Sequence, residues 1–145
     1  MKLNKIQQHI YDQYRMTGKV WAECPRQSGK TTLLLFIAEQ EIRCGNKVLI
    51  KSFNKHNVDR MNKLLQEKLG EDYNKLSDLI VDDEKDADVV LCDEIYYDGA
   101  IHCCDVKIVC LSTPLHETLR FTYDDLDLPK AELERFKEIE AMNKR

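Results

Sequence analysis

Residues 24–32 have the types and spacing of a phosphate-binding loop. They read CPRQSGKTT, whereas the usual pattern is G-x-x-x-x-G-K-[ST]. Gly29, Lys30 and Thr31 keep that spacing, and Cys24 occupies the position of the first glycine, which indicates a somewhat different loop path. Backbone N–H groups at a helix start attract an anion, Lys30 would neutralise β- and γ-phosphates, and the Thr31 hydroxyl would hold Mg²⁺. The candidate phosphate-binding residues are Arg26, Gln27, Ser28, Gly29, Lys30, Thr31 and Thr32.

An acidic pair, Asp93 and Glu94, follows the apolar run of residues 89–92. In a nucleotide hydrolase the aspartate would hold Mg²⁺, usually through water, and the glutamate would orient or deprotonate the attacking water. Taken alone the pair is weak evidence, because turns often begin with acidic residues. A chance Gly-Lys-Thr in a turn is the corresponding alternative for the loop. The two contexts together favour a catalytic role for Lys30 and Glu94.

Three further sets of residues each allow two interpretations. Arg26 could stabilise charge that develops on the γ-phosphate, or it could be a surface cation attracted by the ligand, and the sequence does not decide between these roles. Ser112 and Thr113 could bind the γ-phosphate or the attacking water, although an ordinary strand-to-turn transition is the preferred interpretation of these two alone. Gln7 and Gln8 carry carboxamides that match an adenine edge, but most exposed glutamines face solvent.

The elements around these residues alternate between helices and strands. Apolar spacing predicts helices over 3–16, 30–43, 58–69 and about 129–143, strands over 19–24, 47–53, 89–92 and 107–111, and a short strand over 79–81. This order predicts one α/β domain over residues 1–145, with a mainly parallel sheet in a three-layer fold. Ligands of such sheets bind beyond the carboxyl ends of the strands. All the polar clusters follow strands, so we expect them to meet at one edge.

Composition sets limits on the protein class. The 145 residues are 43% apolar and 33% charged, which is ordinary for a globular domain. No apolar run has membrane-spanning length and the N-terminus lacks a signal peptide, so we expect a cytoplasmic protein with no membrane partner. Six cysteines without C-x-x-C spacing are expected to be reduced.

The net charge of −4 does not indicate nucleic-acid binding by the whole surface. Any contact with DNA would be local, and an ordinary solvated surface is an equally good interpretation of the basic residues. The candidates for such a contact are Arg43, Lys47, Lys51, Lys55, Arg60 and Lys63.

Together these motifs resemble the ATPase domain of the terminase large subunit, the viral and phage DNA-packaging motor, and more distantly superfamily 2 helicases. Terminases often carry a loop of the form R-Q-x-G-K-[ST], which residues 26–31 fit. The resemblance implies that Lys30 and Thr31 bind phosphate and Mg²⁺ and that Arg26 acts as an internal arginine finger. It also implies that Gln7 reads adenine.

The resemblance extends to the second half of the chain. Residues 89–94 look like the Walker B strand with its catalytic glutamate, and residues 111–114 look like the motif that couples hydrolysis to movement. The cofactors implied are ATP and Mg²⁺. The implied partners are double-stranded DNA, further copies of the chain, or a viral or phage packaging protein. The 145 residues leave no room for the nuclease domain of packaging motors, so DNA cleavage is not expected.

Three functions compete at this point. The first is a Mg²⁺-dependent ATPase module that acts on or beside nucleic acid. The second is a module that binds nucleotide or a protein partner with little or no hydrolysis, which the small size, the missing glycine and the acidic balance favour. The third is a small-molecule or nucleotide kinase, which the Asp93–Glu94 pair disfavours because that pair suits the activation of water.

Overall fold

The computed structural model describes residues 2–96 and 106–113, together with Glu134, Arg135, Glu138 and Ile139. The chain divides into two compact units, Met1–Pro114 and Leu115–Arg145. In the second unit the four described residues are helical and lie within the predicted helix over about 129–143, the rest of which lies outside the described residues. The prediction of one domain over residues 1–145 stays a prediction.

The first unit contains all the strands that the structure describes. Its helices are α1 (Lys5–Thr17), α2 (Lys30–Arg43), α3 (Lys55–Leu69) and α4 (Tyr73–Leu76), and its strands are β1 (Lys19–Glu23), β2 (Val48–Ser52), β3 (Ile80–Val81), β4 (Val89–Asp93) and β5 (Lys107–Ser112). Short 3₁₀ turns occupy Gly70–Asp72, Ser77–Leu79 and Glu84–Asp86.

The elements predicted within residues 3–111 are present, with corrections at their ends. Helix α1 begins at Lys5 rather than at residue 3, because the Asn4 side chain accepts a hydrogen bond from the N–H of Gln7 and caps the helix. Helix α3 begins at Lys55, before the predicted start at residue 58, because Asn54 caps it in the same way. Strand β4 extends one residue further than predicted and includes Asp93.

The five strands form one parallel sheet in the order β1-β5-β4-β2-β3. This confirms the predicted α/β class with a mainly parallel sheet. The register pairs Glu23 with Ser112 and Ser52 with Asp93. The carboxyl ends of β1, β2, β4 and β5 therefore lie side by side at one edge, as the sequence predicts.

The two faces of the sheet carry separate apolar clusters. On the first face, residues such as Val48, Leu91 and Val109 pack with α1, α2 and α3. On the second face the described members, which include Val90 and Cys92, all come from strands or the segments next to them. Burial on both faces explains why the strands read as continuous apolar runs. Within the described part of the first unit the helices form one layer, so the predicted third layer stays a prediction.

Within residues 2–96, 106–113 and the four described positions of the second unit, no helix combines the length and the apolar character needed to cross a bilayer.

Candidate functional site

The β1–α2 loop, residues 24–29, leads directly into the first turn of α2. Gly29 is the N-cap residue, with a φ of 83° that few side chains tolerate. A Cβ atom at this position would overlap Nε2 of Gln7, so a larger residue would also have to displace the Gln7 amide. No described residue accepts a hydrogen bond from the N–H groups of residues 29–32. These groups lie at the positive end of a 14-residue helix and can bind an anion.

Cys24 shows why the first glycine of the usual pattern is dispensable here. Its side chain is 2% exposed and belongs to the apolar core, and burial raises the pKa of its thiol. Among the described non-glycine residues, the positive φ values occur at Gln27 (61°) and Glu94 (63°), so Cys24 needs no unusual backbone angle. The loop turns at Gln27 instead.

Helix α1 holds the loop through two side chains. Nδ2 of Asn4 donates to the carbonyl of Ser28 at 3.0 Å, and Nε2 of Gln7 donates to the carbonyl of Gly29 at 3.0 Å. Oε1 of Gln7 accepts from the N–H of Asn4 at 2.9 Å, so both polar atoms of this buried amide are used within the protein. Gln8 is exposed and donates to Asp12. Adenine recognition by Gln7 stays a prediction, and the amide has a structural role as well.

Asp93 lies at the carboxyl end of β4 and is 4% exposed. Its Oδ2 accepts from Nδ2 of Asn57 at 3.0 Å and from the Thr31 hydroxyl at 3.4 Å. Its Oδ1 is buried and has no hydrogen-bond partner. Burial raises the pKa of Asp93, while the bonds from Asn57 and Thr31 and the charge of Lys30 oppose that rise.

This donor set fits Mg²⁺. The ion prefers oxygen ligands and usually takes one or two from the protein, with phosphate and water completing its shell. Asp93 Oδ1 and the Thr31 hydroxyl are such oxygens. No group of three or more His, Cys, Asp or Glu side chains suited to a metal occurs in the described part of the chain, so these residues do not form a cage of protein ligands alone.

Glu94 is held in a fixed position by three contacts. Its Oε2 accepts from the N–H of Thr113 at 3.0 Å, and its Oε1 accepts from the Thr113 hydroxyl at 2.8 Å. Oε1 also lies 3.6 Å from Nζ of Lys30, whose side chain is 9% exposed. Burial alone would raise the pKa of Glu94, but the bonds from Thr113 and the charge of Lys30 outweigh it, and the pKa is lowered. The carboxylate is therefore ionised at neutral pH.

The structure brings five of the predicted residues together. They are Lys30, Thr31, Asp93, Glu94 and Thr113, which come from three distant stretches of the chain. The Lys30 ammonium donates to the Pro25 carbonyl at 3.4 Å, so in this state it faces its own loop and Glu94. A phosphate bound at α2 would compete with Glu94 for this lysine.

Four of the predicted loop residues have other surroundings. Arg26, Gln27 and Thr32 are exposed, and the guanidinium of Arg26 makes no hydrogen bond or ion pair with another described residue. Ser28 is buried, and its hydroxyl has no hydrogen-bond partner. The arginine-finger role of Arg26 therefore stays a prediction.

Sequence reasoning missed Asn4, Ser52 and Asn57. The signal for Asn57 was its position, because it lies four residues before Met61 on the face of α3 that packs into the core. A polar side chain on a buried helix face needs hydrogen-bond partners, and Asn57 finds them in Asp93 and Ser52. Comparison with protein-family models, with curated proteins and with solved structures found no match for the chain.

Proposed function

We propose that this chain binds ATP together with Mg²⁺ and hydrolyses it, as a small P-loop ATPase module of three-layer architecture. The observation that carries the proposal is the meeting of Lys30, Thr31, Asp93 and Glu94 beside the first N–H groups of α2, which donate to no described residue. An ammonium, a hydroxyl and two carboxylates, whose pKa values are shifted in opposite directions, form a set suited to phosphoryl transfer to water. A chance Gly-Lys-Thr turn would not account for two acidic partners from another strand.

Each side chain has a defined role in this proposal. The triphosphate would lie against the N–H groups of residues 29–32, and Lys30 would leave Glu94 to neutralise the β- and γ-phosphates. Thr31 and Asp93 would hold Mg²⁺, which supplies charge neutralisation on the phosphate oxygens. Glu94, kept in place by Thr113, would orient the attacking water and accept its proton.

A module that binds nucleotide with little hydrolysis is the second candidate. The observation that favours it is the lowered pKa of Glu94, because a more acidic carboxyl is a weaker proton acceptor. Loss of the Lys30 contact on nucleotide binding would raise that pKa again, since the positive charge is one of the causes of the shift. The two candidates therefore differ in whether Glu94 can accept a proton once nucleotide is bound.

The nucleic-acid part of the proposal concerns α3. Of the basic residues considered above, Arg43 pairs with Asp72 and Glu39, and Lys51 pairs with Glu84. Lys55, Arg60 and Lys63 are exposed on α3 and form no ion pair with another described residue.

The remaining parts of the proposal rest on other grounds. Contact with double-stranded DNA, with further copies of the chain or with a viral packaging protein rests on the terminase resemblance. A cytoplasmic setting rests on the reduced thiols of Cys24, Cys44 and Cys92.

Phosphate release from Mg²⁺-ATP tests the proposal, measured with and without single- and double-stranded DNA. We expect turnover by the wild type that EDTA abolishes and that Lys30→Ala reduces to background. Lys19→Ala is the matched control, because it removes the same charge at the amino end of β1, at the opposite edge of the sheet. Tight nucleotide binding without release of phosphate would support the second candidate, a nucleotide-binding module. Transfer of the γ-phosphate to a metabolite would indicate a kinase.

A further inference from the structure

We infer that Asn57 is a positioning residue that fixes Asp93 so that Oδ1 is presented for Mg²⁺, and that Arg60 in turn fixes the Asn57 amide. The inference rests on the proposed function, because it concerns the same site. It adds to that site a part of α3 that none of the motifs includes. Its basis is a continuous set of hydrogen bonds from the outer surface of α3 to the buried carboxylate.

The inner end of this set is a closed ring. Nδ2 of Asn57 donates to Oδ2 of Asp93 at 3.0 Å and to the Ser52 hydroxyl at 2.6 Å. The Ser52 hydroxyl donates to the backbone carbonyl of Asp93 at 3.0 Å. An amide nitrogen has two hydrogens, and these two oxygens use both. Asp93 is therefore held at its side chain and at its backbone by residues of β2 and α3.

The outer end sets the direction of the amide. Oδ1 of Asn57 accepts from Nε of Arg60 at 3.2 Å and from Nη2 of Arg60 at 3.0 Å. A guanidinium only donates, so it can face the amide oxygen but not the amide NH₂ group. Arg60 thus holds the NH₂ group of Asn57 toward Asp93. A flipped amide would place its NH₂ group against the guanidinium and its oxygen against the carboxylate, so Arg60 and Asp93 favour the same orientation.

The two carboxylate oxygens of Asp93 differ in their hydrogen bonding. Oδ2 is engaged by Asn57 and by Thr31, whereas Oδ1 is buried and unpaired. Asn57 therefore decides which carboxylate oxygen remains available. Partners that orient a metal ligand in this way typically contribute about 10- to 100-fold in metal affinity or activity.

The test compares the affinity of a fluorescent ATP analogue in Mg²⁺ with its affinity in EDTA, for the wild type and for Asn57→Leu. Leucine keeps much of the side-chain volume and removes both hydrogen-bonding groups. We expect the gain in affinity from Mg²⁺ to fall about 10- to 100-fold, while affinity in EDTA changes little. Mn²⁺ binding to the nucleotide complex, measured by electron paramagnetic resonance, should weaken by the same factor.

Two further variants separate positioning from folding. Asn62→Ala is the control, because it changes another asparagine of α3 that is outside this set of bonds. Arg60→Met alters an exposed side chain and leaves Asn57 present, so it keeps the test valid if Asn57→Leu does not fold. We expect Arg60→Met to reduce the gain in nucleotide affinity from Mg²⁺ (the Mg²⁺ effect) by a smaller factor than Asn57→Leu does. Asn62→Ala should leave the effect at the wild-type value.

The outcomes distinguish the two proposals. An unchanged Mg²⁺ effect in folded Asn57→Leu, or in Arg60→Met if the first variant is unfolded, overturns the positioning role alone. A lower melting temperature with an unchanged Mg²⁺ effect has the same meaning, since Asn57 would then serve only the packing of α3. A wild-type protein that binds no nucleotide in either buffer overturns the proposed function and the inference with it.

Discussion

Replacing Glu94 by glutamine separates catalysis from binding at this site. Glutamine keeps the size of the side chain, and its one oxygen can accept the hydrogen bond from the Thr113 N–H while its NH₂ group donates to the Thr113 hydroxyl. It carries no charge and is a very weak base. A positioned general base contributes about 10²- to 10⁴-fold to a rate. We therefore expect phosphate release by Glu94→Gln to be at least about 100-fold slower than by the wild type.

The same substitution should raise nucleotide affinity. In the free protein, Nζ of Lys30 lies 3.6 Å from Glu94, and at an effective dielectric constant of about 20 this separation corresponds to an attraction of about 5 kcal/mol. Most of that attraction is offset by lost solvation, because the Lys30 and Glu94 side chains are 9% and 31% exposed. A net pairing of about 1 kcal/mol would have to be broken for Lys30 to bind phosphate. Its removal raises affinity about fivefold.

The assay combines phosphate release with titration of a fluorescent ATP analogue. Glu23→Gln is the matched control, since Glu23 is an exposed glutamate at the carboxyl end of β1 and outside the cluster. It should behave as the wild type in both measurements. Turnover of Glu94→Gln within tenfold of the wild type would refute the role of Glu94 as base. Weaker nucleotide binding would refute the competition between Glu94 and phosphate for Lys30.

Two further predictions concern the elements that hold the site. Gln7→Ala removes two partly buried hydrogen bonds, one to the Gly29 carbonyl and one from the N–H of Asn4. We therefore expect about 1–2 kcal/mol lower stability in urea unfolding and an equal loss of ATP and GTP affinity. A loss confined to ATP would instead indicate adenine reading. Burial raises the pKa of Asp93 above its ordinary value of 3.8, so the folded state favours the protonated carboxyl. The stability that this preference contributes is present below pH 3.8 and is lost as pH rises through the raised pKa. The Asp93→Asn side chain cannot ionise, so this variant should gain stability relative to the wild type as pH rises from 3.8 through the raised pKa of Asp93. The measurement is the difference in unfolding midpoint between the two proteins across a pH series. A difference that does not depend on pH would contradict the raised pKa.

The sheet could be predicted because its strands are apolar runs that end in polar residues. Burial on both faces makes a parallel strand apolar throughout, and residues 89–92 and 107–111 have this character. Because the strands are parallel, their carboxyl ends were expected to meet at one edge of the sheet. The sequence therefore predicted that Lys30 lies near Glu94 and that Thr31 lies near Asp93, but it did not predict the distances between them.

The supporting contacts could not be predicted because they depend on how helices pack. Asn4 and Gln7 bond to the β1–α2 loop only because α1 lies beside it, and no sequence period specifies that arrangement. The position of Asn57 on the core-facing side of α3 indicates that it needs a hydrogen-bond partner, but the sequence does not identify Asp93 as that partner. Local patterns specify elements, whereas these bonds join residues 22 to 36 positions apart.

The distribution of unsatisfied polar groups argues that the site is built for a ligand. Three side-chain atoms among the described residues are buried without a hydrogen-bond partner, and two of them, on Ser28 and Asp93, belong to the candidate site. Each such atom costs about 1–3 kcal/mol of stability. Glu94 adds a left-handed backbone conformation that non-glycine residues rarely adopt. Costs of this kind persist where function requires them, and a bound anion with its cation would pair the free N–H groups and the free carboxylate oxygen together. If the proposed function holds, the stability lost at this edge of the sheet and the binding of Mg²⁺-ATP there would have the same structural cause.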